Sequence, residues 1–484
     1  MSERFDVVVV GSGAGGGVVA GELAERGRSV LLLELGPLRT AVDFHRWEAH
    51  ATHDLWWPIR FAMPAGEWGP GPVALVAGRC VGGSTTINTK VAMRADAVDL
   101  AKWHEASGLL GAHGEPFGEA DIAPHYDRVE RYLGVRVRDD WSDSVRTVER
   151  GFNQLGAQLE GVVSYTDEGC MRCGSCLQGC PTNSGKSTQN TYIQRGVVRH
   201  GLALRAGCAV ERIVIEERPD GPQATGVEYL DADGVRHGAS AGAVVVAAGT
   251  LNTPGVLARS GVEDPLVGRN LGFHPARLVF GLFEEHQDAH MVYPITAHCA
   301  ERRHDEDGGF VIEAVTMQDP IGFATTLEDE DGPMWGPPLV EALRRYRRWT
   351  GVLAMTNDDN NGAVIAGASR DEDAYTADFN AAEAERIGGA LRFSRDVFEA
   401  AGASEVLWTG LVTTHIQGSC RMGSDPERSV VDANGEAHRV RRLFVGDGSV
   451  VPRTVSSNPS ITIMALASRL AGYMDRDEAG YLAG

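Results

Sequence analysis

Glycines at positions 11, 13 and 16 stand between an apolar run, Phe5 to Val10, and an amphipathic stretch, Ala14 to Arg26. Four consecutive valines ending in Gly-x-Gly-x-x-Gly read as a buried parallel strand that turns directly into a helix. Each glycine has its own purpose in such a turn. Gly11 makes the tight bend, Gly13 admits a pyrophosphate close to the backbone, and Gly16 lets the helix pack on the strand. A helix opening at Ala14 aims unpaired N–H groups and the positive end of its dipole at the phosphates. Ser29 to Glu34 reads as the next strand, and Glu34 has the position of the acid that hydrogen-bonds an adenosine ribose. Gly11, Gly13, Ala14, Gly16 and Glu34 are therefore candidate cofactor contacts. A structural turn alone explains the glycines but not the strand, helix and acid around them. The fingerprint serves NAD and FAD equally.

Two later segments repeat the strand-then-helix grammar: Ala243 to Gly249 followed by Thr250 to Arg259, and Leu443 to Gly448 followed by a helix from Pro459 to Met474. The expected fold class is α/β, with a Rossmann-like cofactor domain assembled from 1–94, 201–275 and 411–484. An inserted α+β substrate-binding domain is expected from 95–200 and 276–410, which lack that grammar and carry acidic loops such as Glu328 to Asp331. The hydrophobic content of 43% over 484 residues supplies cores for both. Forty-five basic residues against 66 acidic ones leave a formal charge of −21, which repels nucleic acid and anionic membrane surfaces, so neither is an expected partner. No apolar stretch reaches the roughly 18 residues of a transmembrane helix. The opening run is too short for a signal-peptide core, and a cytoplasmic protein is expected.

Three more segments, in order, are Gly78-Arg-Cys-Val-Gly-Gly-Ser-Thr-Thr-Ile-Asn88, His415-Ile-Gln-Gly-Ser-Cys-Arg-Met-Gly423, and Leu443-Phe-Val-Gly-Asp-Gly448 continuing to Ser457-Asn-Pro-Ser-Ile-Thr-Ile-Met-Ala465. With the opening fingerprint, they resemble the glucose–methanol–choline (GMC) oxidoreductases, which use FAD to oxidise alcohols. The resemblance spans both ends of the chain and omits the middle, 276–410, where the substrate is selected. It implies FAD, with Arg79, Gly82, Gly83, Ser84 and Asn88 on a loop along the pyrophosphate and flavin. It further implies Val210 at the adenine, and Asp447, Gly448 and Pro459 near the pyrophosphate–ribityl region and flavin. Cys80 reads as a small buried side chain.

Oxidising an alcohol with flavin moves a hydride from the carbinol carbon to flavin N5 while the hydroxyl proton goes to a base. The resemblance assigns the base to His415, a residue type suited to accept a proton near neutral pH, and the hydroxyl-orienting partner to Asn458. Asn458 before Pro459 also reads as an ordinary N-cap with Pro at N1. His274 reads as structural. The implied substrate is a small primary or secondary alcohol: sugar, sterol, long-chain or aryl. Rival readings are an NAD-dependent dehydrogenase, a flavin-containing hydroxynitrile lyase of the same fold, and an electron-transfer protein.

That last reading comes from Cys170-x-x-Cys173-x-x-Cys176-x-x-x-Cys180-Pro181, whose spacing matches the bacterial ferredoxin run. An iron–sulfur cluster on these four thiols stands against a zinc site, disulfides and plain packing. A cluster would pass electrons to an external acceptor, protein or quinone, and make the enzyme a dehydrogenase. A dehydrogenase passing electrons to an external acceptor is the expected enzyme, and an oxygen-using oxidase is the alternative.

Overall fold

The computed structural model describes residues 3–68, 71–315, 319–477 and 479–482. The elements that build the site are, in chain order, β1 (Glu3–Val10), α1 (Ala14–Glu25), β2 (Val30–Glu34), β3 (Ala203–Ala206), β4 (Ala209–Glu216), β5 (Gln223–Leu230), β6 (Arg236–Val246), α2 (Thr253–Arg259), β7 (Arg269–Phe273), β8 (Ala276–Leu282), β9 (Ile295–Cys299), β10 (Phe310–Val315), β11 (Trp349–Thr356), α3 (Ala381–Ala400), β12 (Ile416–Gln417), β13 (Leu443–Val445) and α4 (Ser460–Arg476).

The first sheet has the order β3-β2-β1-β6-β5-β4, with β13 also on β6. β1 lies parallel between β2 and β6, with Val7 beside Val30 and Ala243. Its valines are buried, with α1 and α4 packed against each other in the same core. β6 starts earlier than its apolar half suggests, since residues from Arg236 onward pair antiparallel with β5. It ends at Val246, so Ala247 and Ala248 leave the ladder and line the central cavity.

The second sheet is mostly antiparallel: β8 pairs β11, β11 pairs β10, and β10 pairs β9. Side chains alternate between its faces. Val279, Ile312, Val352 and Ala354 pack against Val397 and Phe398 of α3, which opens on a capping box formed by Asn380 and Glu383. The alternate residues Leu278, Glu313, Leu353 and Met355 face the cavity. This sheet also takes in β7, β12 and the strands Arg60–Pro64 and Val73–Leu75. The architecture is mixed α/β, a Rossmann-like layer joined to a second, mostly antiparallel sheet. Among the described residues no helix is long and apolar enough to cross a membrane.

Candidate active site

A cavity of about 990 Å³ lies between the two sheets, at the upper end of small-molecule sites. It gathers residues far apart in sequence: Gly11, Gly13, Ala14 and Glu34 from the fingerprint, Gly83, Ser84 and Asn88 from the second loop, and Val210 from β4. Asp447, Gly448, His415, Asn458 and Pro459 complete the set from the C-terminal segments. Three sequence candidates serve the walls instead. A Cβ on Gly16 would fall 1.9 Å from the Gly11 carbonyl oxygen, so Gly16 is the helix–strand contact. Gly82 has φ +92° and donates its N–H to Ser12 Oγ at 2.9 Å, which ties the two glycine loops together. The Arg79 guanidinium lies over the Trp57 ring, 5.7 Å from its centroid.

The phosphate turn fits a dinucleotide. Gly13 sits at the N-cap of α1 with no side-chain cap and no acidic residue in the first turn, so the helix N–H groups are left for an anion. A Cβ on Gly13 would meet nothing within 4 Å, leaving open cavity where a pyrophosphate approaches. Gly11 takes φ +95°, the left-handed bend that only glycine adopts without strain. Glu34 accepts from Ser12 N at 3.0 Å, Ser12 Oγ at 2.7 Å and Gly36 N at 2.8 Å. Asp447 is fully engaged: it accepts from Gly249 N, Thr253 Oγ1, Ser449 N and Ser449 Oγ. Its side chain braces the ends of β6 and β13, and its backbone is what remains to a ligand.

Antiparallel pairing brings the catalytic candidate to an unexpected partner. Phe273 of β7 faces Ile416 of β12, so the next residues, His274 and His415, meet across the strand ends. Their Nδ1 atoms are 3.0 Å apart, and His274 Nε2 is 2.5 Å from the Val455 carbonyl oxygen. A carbonyl only accepts, so His274 Nε2 carries the proton and its Nδ1 is the free base. His415 Nδ1 must then donate, and its other neighbour, Met355 Sδ at 3.1 Å, is likewise an acceptor. The unprotonated nitrogen of His415 is Nε2, on the side of the ring away from His274. Burial holds the His274 pKa down to about 4. Burial, then the neighbouring His274, holds His415 well below the ordinary histidine value. Both rings are neutral at pH 7, and His415 has one defined acceptor nitrogen beside the cavity.

Asn458 is buried. The N-cap of α4 is Pro459, not Asn458, and no side chain caps the helix. Asn458 is thereby released from the capping role its sequence suggests. Glu313, on β10, was not visible as a site residue in the sequence. It is fully buried, faces the cavity, and its pKa is pushed up to about 7 by burial, with the Asn458 side chain opposing the rise. The only signal in the sequence was a lone glutamate inside the apolar run Phe310 to Val315.

Cys170, Cys173, Cys176 and Cys180 line a separate pocket of about 10 Å³, and all four are free thiols. An iron–sulfur cluster, one of the readings open for this run, finds no support: among the described residues no group of three or more His, Cys, Asp or Glu side chains is arranged to hold a metal ion. Burial raises the Cys176 and Cys170 thiols above the ordinary value. Cys180 differs, for burial is outweighed by hydrogen bonds from Thr182 and Gly185 and by the Lys90 charge, so its pKa lies below the ordinary value. Cys80 is buried, and its thiol is raised by burial to about 12.

A dinucleotide cradle that opens onto a neutral, oriented imidazole defines a nucleotide-dependent oxidoreductase. Family models for the N-terminal and C-terminal parts of GMC oxidoreductases match residues 5–276 and 349–467. The chain belongs to the GMC oxidoreductase family and is an FAD-dependent enzyme. It is 29% identical to a long-chain-alcohol oxidase of Arabidopsis thaliana, over 96% of this chain and 66% of that protein, so it spans slightly less than two thirds of that relative's length. It is 27% identical to a 2-methyl-1,2-propanediol dehydrogenase of Mycolicibacterium austroafricanum, over 98% and 96% of the two chains. Among solved structures, pyridoxine 4-oxidase from Mesorbium loti superposes with a TM-score of 0.74 at 20% identity, over 98% of this chain and 100% of that one. Formate oxidase gives 0.76 at 16% identity, with 99% of each chain covered.

Proposed function

We propose that the protein oxidises a primary or secondary alcohol, with His415 taking the hydroxyl proton and Asn458 orienting the hydroxyl. The observation that supports this most is the chain Val455 carbonyl, His274, His415, which leaves His415 Nε2 as a base beside the cavity that also meets the phosphate turn. FAD, when bound, supplies the acceptor for the hydride that leaves the carbinol carbon. Gly13 and the open end of α1 would hold its pyrophosphate, and Glu34 would accept from its ribose. His415 Nε2 receives the alcohol proton, and the charge this creates is shared with His274 through the Nδ1–H bond. The amide of Asn458 holds the substrate oxygen while that oxygen gains negative charge.

Leu278, Ile295, Val315 and Leu353 form an apolar wall of the cavity, which favours a long-chain or aryl alcohol over a sugar. The alcohol-oxidising relatives support the reaction class. Each turnover leaves two electrons on the enzyme, and an external acceptor must remove them: oxygen, a quinone or an electron-acceptor protein. Oxygen uptake during turnover separates oxidase from dehydrogenase.

The test is anaerobic mixing of the flavin-loaded protein with a panel of alcohols: octanol, benzyl alcohol, cholesterol and glucose. The proposal expects loss of the yellow flavin absorbance with at least one of them, the first two ahead of glucose. Retention of colour with every alcohol, combined with cleavage of a hydroxynitrile, would establish the lyase reading instead.

A further inference from the structure

The mechanism above leaves Glu313 without a task, yet it is fully buried and faces the reaction cavity. Neither of its carboxyl oxygens has a hydrogen-bond partner among the described residues, and neither does Oδ1 of Asn458. Three buried acceptors thus stand without a donor, an arrangement that folded proteins avoid. One proton on Glu313, donated to Asn458 Oδ1, satisfies two of them at once. The Asn458 side chain acts on the Glu313 carboxyl and opposes the rise that burial causes, so the two groups lie within interaction range, the amide N–H₂ being the end that favours an ionised carboxyl.

An amide has two unlike ends, and a carboxyl group beside it chooses between them. A protonated Glu313 holds Oδ1 and leaves the Nδ2–H₂ group for the substrate oxygen. An ionised Glu313 attracts Nδ2–H₂ and turns Oδ1 toward the substrate. Only the first arrangement suits a substrate oxygen that is losing its proton to His415, because that oxygen then needs a donor. We propose that Glu313 is a positioning residue of this site: its proton selects which end of the Asn458 amide faces the substrate oxygen. The inference rests on the His415–Asn458 reading given above.

Burial favours the protonated form of Glu313, and the Asn458 side chain opposes it. In register it lies between His298 of β9 and Leu353 of β11. Burial holds the His298 ring low, and the charges acting on it are Glu160 and Arg303. His274 and His415, which line the same cavity, are kept neutral by burial. At the start of α4 stands Asn458, which is uncharged. Glu313 therefore loses its proton around pH 7, and the productive amide orientation is lost as pH rises through that value.

Two readouts test this on the flavin-loaded protein. Difference infrared spectroscopy should show a protonated-carboxyl band that titrates away with a midpoint of about 7 and is absent from Glu313→Gln. Anaerobic flavin reduction by octanol, followed against pH, should fall about tenfold per pH unit above that midpoint, as for loss of one essential proton. Glu313→Gln, whose amide keeps an N–H₂ donor at every pH, should show no such alkaline fall. Should that variant not fold, Asn458→Ala serves: it has no amide to turn, so its slower reduction should also lack the fall. An alkaline fall that persists in either variant, or a wild-type band that does not titrate, overturns the proposal. Failure of the base assignment would appear separately, as undiminished reduction by His415→Ala, while the infrared band still reports the Glu313 proton.

Discussion

The Val455 carbonyl decides the tautomer of two histidines in succession, and so decides which nitrogen of His415 is basic. Removing the middle member should therefore act on chemistry more than on cofactor binding. His274→Phe keeps an aromatic ring in the packed position but offers no acceptor to His415 Nδ1–H. It should retain flavin and slow anaerobic reduction about 10²-fold or more, as expected when a catalytic histidine loses its orienting partner. Rates from stopped-flow bleaching, set beside the flavin content of each preparation, check this. The same burial fixes the acid side of the pH profile. His415 titrates well below 6.5, so its protonation should reduce the rate only at pH values below that, whereas an exposed histidine would already lose rate near pH 6.5. The candidacy of His415 came from its nine-residue motif. The pairing with His274 was not, because it depends on which strand β12 joins, 141 residues away.

At the scale of elements, the turn from β1 into α1 separates glycines that serve the ligand from glycines that serve the fold. Gly13→Ala adds a methyl group to open cavity. The protein should fold with stability within about 0.5 kcal/mol of wild type and lose flavin during purification. Gly15→Ala places its Cβ 1.7 Å from the Gly446 carbonyl oxygen, a backbone atom that cannot rotate away. That substitution should cost about 1–3 kcal/mol or more, seen as a lower melting temperature in flavin-free protein. The β1–α1–β2 unit was legible in the sequence to within a residue or two, since four valines, three glycines and Glu34 all act locally. The start of α4 was legible only in part: Asn458-Pro459 predicted a helix entry, but the cap falls on Pro459.

Across the whole molecule, the second sheet could not be read from the chain. Its partners are distant in sequence, β8 pairing with β11 and β11 with β10, and a period-two pattern names a strand's faces but not its neighbours. Glu313 became a candidate only once those pairings turned one face of β10 to the cavity. The same burial gives the protein a pH-dependent stability. Asp358 is buried beside β7, and burial raises its pKa from 3.8 to about 8, with Glu383 and Asp359 adding to the rise against hydrogen bonds from Phe273 and Thr454. A raised carboxyl favours the folded state below its unfolded pKa, and that contribution is lost as pH climbs to the folded value. His274 acts in the opposite sense, and its contribution is lost as pH falls from 6.5 toward 4. Asp358→Asn removes the alkaline loss, so its melting temperature relative to wild type should rise between pH 4 and 8 and level off beyond. Scanning calorimetry across that range checks the sign.

The proposed chemistry turns on a proton passing from the alcohol to His415 beside the cavity. The direct measurement is the anaerobic bleaching rate of His415→Ala against wild type, with equal bound flavin and the same alcohol. The predicted result is full flavin occupancy with the rate lowered about 10²- to 10⁴-fold, the usual share of a general base. Equal rates in the two proteins would contradict it.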